Sequence, residues 1–253
     1  MSVYRPKHKI LPIPLEVVIN ASDVKRFFNV PAGIAKKLRF TDVSLYSSTP
    51  SDQSEFMTEL LKSYHPDLAD KTVTDGLACI GGNTWKLAEC SKSVYAVELD
   101  MLHADILMSN MKALGISNVT VIAANYLDVL SDIKQDIVFL DPPWGGTDYK
   151  FGDYRIQLSS NTVRTLEDII ANLSDKCQTC ILKLPAGYRL ESTGGFPTVD
   201  TYDIKSYNGT VLYQLIVLSH VKQKTLIDHN TTNRCFQPAH YKSIEYHVKN
   251  VKR

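Results

Sequence analysis

Asp141, Pro142, Pro143 and Trp144 close an apolar run, Asp136-Ile137-Val138-Phe139-Leu140, and lead into Gly145 and Gly146. A carboxylate accepts hydrogen bonds from an exocyclic amine and an indole face stacks on a planar base, so the two make a clamp for the amino group of a nucleobase. Proline fixes φ, has no N–H and keeps the residue before it out of the helical region, which leaves the backbone from Asp141 to Trp144 stiff and extended. The glycines let a ligand approach the backbone. A strand end with a Pro-Pro turn and a buried tryptophan would read the same way, so the neighbouring segments must decide.

About 65 residues upstream, Val73 to Thr84 reads as a strand, a small-residue turn (Cys79-Ile80-Gly81-Gly82) and then a helix through Trp85 to Cys90. Such a loop at a helix amino terminus seats a ligand against backbone N–H groups. The spacing is not G-x-G-x-x-G, because Cys79 stands where the first glycine belongs, and this disfavours a pyrophosphate ligand. Ser93 to Glu98 reads as the next strand, ending in an acid suited to ribose hydroxyls, with Asp100 just beyond.

These segments need a scaffold, and the rest of the chain supplies one. Leu102, Ile106, Leu107, Met111 and Leu114 fall at helical spacing from Met101 to Leu114, and Gly115 predicts the C-cap. Val119 to Ala123 predicts a third strand, a helix is expected between Thr162 and Leu173, and Thr179 to Leu184 predicts a fifth strand. That alternation predicts a parallel sheet covered by helices on both faces. Asn208-Gly209, between Tyr202–Tyr207 and Thr210–Leu218, predicts a closing antiparallel hairpin, which points away from a dehydrogenase.

The order of these pieces resembles the class I S-adenosylmethionine-dependent methyltransferases. Gly81-Gly82-Asn83-Thr84 together with Pro142-Pro143-Trp144-Gly145-Gly146-Thr147-Asp148-Tyr149 closely resembles the trimethylguanosine synthase family of cap guanine-N2 methyltransferases, and Tyr46-Ser47-Ser48-Thr49-Pro50 resembles that family's segment before the glycine loop. The likeness spans roughly residues 40–220. It implies an α/β fold: a Rossmann-like, seven-stranded class I methyltransferase sheet with a closing hairpin. The expected layout is a mostly helical N-terminal extension at 1–68, the S-adenosylmethionine-binding domain at 69–220 and a basic C-terminal tail at 221–253.

The resemblance also implies roles for individual residues. Thr49, Asp75, Leu77, Glu98 and Asn125 would line the S-adenosyl-L-methionine pocket, Glu98 on the ribose and Asn125 near the adenine amine. Ala78, Gly81, Asn83, Leu99, Tyr126 and Asp141 would complete it. Asp141 and Pro142 would bracket the reacting amine, Trp144 would stack on 7-methylguanine, and Asp148, Tyr149, Lys36 and Arg39 would contact the capped RNA or cap nucleotide. The chain departs from the family pattern at Cys79 (usually glycine), Asn125 (more often an acid) and Asp141 (often serine).

Composition narrows the classes. A net charge of +1 announces no nucleic-acid partner, but residues 1–40 carry about +6 and residues 221–253 about +5, so the ends could grip RNA or a cap triphosphate. Five cysteines argue for a reducing compartment, cytoplasmic or nuclear, and no run approaches the ~20 apolar residues of a membrane span. Cys177 and Cys180 have no second pair and no histidine partner, so no metal is expected, and the chain is expected to act as a monomer. Two alternatives stay open: another amino methyltransferase, acting on adenine, internal guanine or protein glutamine, or a non-catalytic cap-binding module.

Overall fold

The computed structural model describes residues 13–144, 165–206 and 208–224, and the strand backbones at 235–236 and 246–248. Its centre is a run of parallel strands, the inner ones buried on both sides as strands covered by helices on both faces must be, and the edge strand partly exposed. These are β3 (Thr72–Asp75), β4 (Ser93–Glu98), β5 (Val119–Ala123), β6 (Ile137–Leu140) and β7 (Thr179–Pro185). All four residues of β6 and all seven of β7 are buried. β8 (Thr198–Ser206) and β9 (Val211–Ser219) form the expected hairpin, with β9 antiparallel to both β7 and β8. Gly209 in its turn has φ 82°, a conformation open to glycine at little cost.

The sheet order is β10-β8-β9-β7-β6-β3-β4-β5. The seven predicted strands are all present, and a two-residue strand, β10 (Cys235–Phe236), adds an eighth beside β8. The order reverses between β3 and β6, the place where open α/β sheets leave a crevice at their carboxyl ends. The N-terminal extension holds α1 (Ala21–Phe27), α2 (Ala32–Ala35), α3 (Ser44–Ser47) and α4 (Ser51–Tyr64). It also holds two strands absent from the sequence reading, β1 (Glu16–Ile19) and β2 (Phe40–Thr41), which pair with each other and with β11 (Tyr246–Val248) in a second sheet. Strands of two to four residues carry too little alternation to be read locally.

Three apolar clusters hold these layers. α4 and α5 (Gly82–Cys90) cover one sheet face through Phe56, Leu60, Leu87, Phe139, Ile181 and Val217. α8 (Leu166–Leu173), capped by a Thr165/Asp168 box, covers the other with Ile169, Ile170 and Leu173 against Val138, Leu182 and Ile216. The third cluster packs Phe27, Phe28 and Phe40 of the extension against Trp85, Ile106 and Leu107. α6 (Met101–Ala113) starts at the Asp100 side chain, which accepts from His103 N–H at 2.9 Å; its C-cap is Leu114, and Gly115, expected as the cap, stands one position later at φ 74°.

Gly81 joins the loop to α5 at φ 96°, and a Cβ there would lie 2.5 Å from Leu107 Cδ1 and 2.7 Å from Met111 Cε. Backbone strain and overpacking both oppose a side chain. Gly81→Ala is expected to cost about 2–4 kcal/mol, read as a lower urea midpoint with an unchanged slope. No helix among the described residues is long and apolar enough to cross a membrane.

Candidate active site

The carboxyl ends of β3, β4, β6 and β7 bring the polar groups together. Asp75 ends β3 and is 1% exposed. Its Oδ2 accepts from Thr84 Oγ1 of α5 at 2.7 Å, while Oδ1 has no hydrogen-bond partner among the described residues. Burial, seconded by the charges of Asp141 and Glu98, pushes its carboxyl up to about 7.

This gives a signed stability effect. A carboxyl raised from 3.8 to about 7 binds its proton more tightly when folded. Its contribution is therefore fully present below about pH 4 and is lost as pH rises through about 7. Asp75→Asn removes that loss. The variant's melting temperature relative to wild type should climb steadily between about pH 4 and 8, and a flat difference would refute it.

Glu98 ends β4 with both oxygens engaged: Oε2 accepts from Cys79 N–H at 2.7 Å and Oε1 from Asp100 N–H at 2.8 Å. Burial raises its carboxyl above the usual range, opposed by those N–H groups. Cys79 has φ 48°, the left-handed conformation that normally selects glycine. In that geometry its N–H meets Glu98. Burial pushes its thiol up to about 12, so it is an inert thiol at neutral pH.

Asp141 follows β6, its side chain 13% exposed. Its Oδ2 accepts from Lys183 Nζ at 2.6 Å and from Thr49 Oγ1 at 3.3 Å. Thr49 Oγ1 in turn accepts from Lys183 Nζ at 2.7 Å and from Asn83 Nδ2 at 3.1 Å, and Asn83 Oδ1 accepts from Ser54 Oγ at 2.9 Å. One chain of bonds thus ties β6, β7 and the starts of α4 and α5 around a single carboxylate. Burial raises the Asp141 carboxyl, and Lys183 and Thr49 pull it back. Trp144 lies beside this group: its indole N–H donates to the Lys183 carbonyl at 3.2 Å, and its ring packs 6.2 Å from Tyr213.

Of the residues predicted for the site, Thr49, Asn83 and Asp141 meet directly, with Asp75 close enough to feel the Asp141 charge. Leu99 is 52% exposed just past β4. Leu77 is partly buried against the α8 cluster, and Ala78 is buried with its N–H on the Val97 carbonyl. Asn125 spends its side-chain oxygen on Leu127 N–H as the N-cap of α7 (Tyr126–Val129). Tyr126, expected to line the pocket, is instead a core residue: it is 1% exposed, and its hydroxyl donates to Gln135. Arg39, expected on substrate, is likewise committed elsewhere. Its guanidinium binds Glu16 at 3.0 and 3.1 Å and Asp105 at 2.7 Å, tying β2 to β1 and α6. Lys36 is exposed at the end of α2. Asp148 and Tyr149 lie outside the described residues.

The sequence reading missed Lys183. Its signal was there: β7 alternates Thr179, Ile181 and Lys183 toward the α4 face, so a lysine occupies a position that the period of two gives to an apolar residue. A nearly buried ammonium needs a partner, and that requirement should have flagged it.

The residues present fit S-adenosylmethionine. Asp75 Oδ1 is a buried acceptor without a donor, and α5 begins without a side-chain cap, leaving its first N–H groups to a ligand carboxylate.

Comparison with known proteins agrees. A 33% identical match over 154 residues, 58% of each chain, is to an uncharacterised protein of Acanthamoeba polyphaga mimivirus. The trimethylguanosine synthase of Schizosaccharomyces pombe is 29% identical over 133 residues, half of each chain. The chain therefore spans only half to three-fifths of these two relatives' length, and less of others it matches. Among solved structures, a Porphyromonas gingivalis protein described as a methyltransferase superposes with a TM-score of 0.57 at 15% identity, covering 81% of this chain and 49% of its own, which speaks for the fold alone. The model of the RNA cap guanine-N2 methyltransferase family matches residues 70–196, which include β3, the glycine loop, Glu98, Asp141 and Lys183, and on this match the chain belongs to that family.

Proposed function

We propose that the protein methylates the exocyclic N2 amine of 7-methylguanosine in an RNA cap, using S-adenosylmethionine. The observation that carries this reading is the pairing of an anchored carboxylate, Asp141, with the Trp144 indole at the carboxyl end of β6, beside the unpaired Asp75 oxygen. When bound, S-adenosylmethionine supplies a methyl group already activated on a sulfonium. Asp75, Glu98 and the start of α5 would hold it.

The protein's own work is positional. Asp141 and the Pro142 carbonyl accept the amine's hydrogens and so aim its lone pair, and Asp141 takes up the proton the amine sheds once methylated before passing it to water. Trp144 stacks on the base. Exposed Lys36 and Lys37 are available to cap phosphates.

A tritiated methyl-transfer assay tests this with three acceptors: a 7-methylguanosine triphosphate cap, uncapped RNA and a glutamine peptide. Transfer to the cap alone is expected. Transfer to uncapped RNA or peptide in preference would replace this reading with another amino methyltransferase. If S-adenosylmethionine also fails to raise the melting temperature, the chain is a binding module.

A further inference from the structure

We infer that Lys183 is the positioning residue of the transfer site: with Thr49 it occupies Asp141 Oδ2 and leaves Oδ1 as the acceptor for the substrate amine. The inference rests on the reading of Asp141 as that acceptor. The β6–β7 register sets Leu140 against Leu182, so Asp141 and Lys183 follow side by side. Lys183 is 7% exposed, and its ammonium lies 2.6 Å from Asp141 Oδ2 and 2.7 Å from Thr49 Oγ1. It also stands 5.0 Å from the Tyr213 ring and 5.6 Å from the Trp144 ring. Four side chains from three other segments thus converge on Nζ. Among the described residues no hydrogen bond reaches Oδ1, so the carboxylate is held by one oxygen and open at the other.

A carboxyl that is to take up the amine's proton must be ionised, and a buried carboxylate resists ionisation. Lys183 is the cation that counters burial here. The other ionisable groups facing the pair are Asp75 from β3 and Tyr213 from β9, while Thr49 and Trp144 bring no charge. Removing the ammonium leaves only the Thr49 hydrogen bond to oppose burial at Asp141. The activity that needs the ionised form then fades at a higher pH.

The test uses the whole chain and the pH profile of methyl transfer to 7-methylguanosine triphosphate. Lys183→Met is expected to lower kcat by about a hundredfold, to leave the S-adenosylmethionine-induced melting shift in place, and to move the acid limb of kcat/KM up by about 1–2 pH units. Lys183→Arg should return the limb toward its wild-type position. A limb owed to Asp75 would not move up, because losing the Asp141 charge lowers the Asp75 carboxyl.

Because Lys183→Met leaves the buried Asp141 carboxylate without its cation, the double variant Asp141→Asn/Lys183→Met, which buries no unpaired charge, provides a second arm. If Lys183 acts through Asp141, the double variant is as slow as Asp141→Asn alone. Independent, multiplying losses would overturn the inference. An active wild type with an unmoved limb in Lys183→Met overturns this inference alone. A wild type that methylates no amine overturns the functional reading and this inference with it.

Discussion

Asp141→Ala is expected to abolish methyl transfer and also to destabilise the fold, and the two losses have different causes. Truncation leaves the Lys183 ammonium, 91% of its side chain shielded, without its counter-charge. Breaking a buried pair in this way costs about 3–5 kcal/mol, because the surviving ion keeps its desolvation penalty and loses its partner. For a chain of 253 residues that corresponds to roughly a 10 °C fall in melting temperature. The chemical loss is separate: without the acceptor the amine is neither aimed nor relieved of its proton, an effect of about 10²–10⁴ in kcat. Asp141→Asn/Lys183→Met distinguishes them. With both charges gone, the melting temperature should return close to wild type while activity stays low. A double variant that regains activity would remove Asp141 from the chemistry.

The second large effect is on substrate. Trp144→Ala should raise the KM for a 7-methylguanosine cap by about 10- to 100-fold, since a base–aromatic stack is worth roughly 1–3 kcal/mol. Affinity for S-adenosylmethionine should change little, because the indole touches Lys183 and Tyr213 rather than Asp75 or Glu98. Guanine methylated at N7 is a cation, and its stack on an indole gains a further ~0.5–2 kcal/mol over the neutral base. The variant should therefore also lose preference for the methylated cap over GTP. Trp144→Phe, which keeps a ring but not the N–H donated to the Lys183 carbonyl, should fall between. Equal binding of methylated and unmethylated guanine nucleotides by the wild type would sink the stacking argument.

Much of this was legible from local patterns. β4 and β5 fall where the alternation and turn residues put them, and Gly115 and Asn208-Gly209 mark a helix end and a hairpin because only certain backbone angles fit there. Glu98 and Asp141 could be read as chemistry because each stands at a strand's carboxyl end, whereas Asp75 came only with the family resemblance. What escaped depends on which strands become neighbours. Lys183 meets Asp141 across 42 positions, and Thr49 meets it across 92, so neither contact leaves a local trace. Arg39 looked like part of a basic patch, but its fork is matched to Glu16 and Asp105 from two other elements. Tyr126 sits next to a strand end, yet its ring packs under Gly76, where a Cβ would meet it at 3.0 Å.

The small sheet that joins β11 to β1 bears on the order of events during synthesis. Val17 pairs with Val248, about 230 positions later, whereas β3 to β9 pair within a much shorter stretch. The strands that carry Asp75, Glu98, Asp141 and Lys183 can therefore find one another on the ribosome while β1 still waits for its outer partner. Loop closure over so long a segment adds only slowly to the entropic cost, so the delay is one of time rather than of stability. A nascent chain halted after β9 should already protect the β6–β7 amides from hydrogen exchange, and those of Val18 and Ile19, which have no partner in β2, should become protected only after β11 emerges.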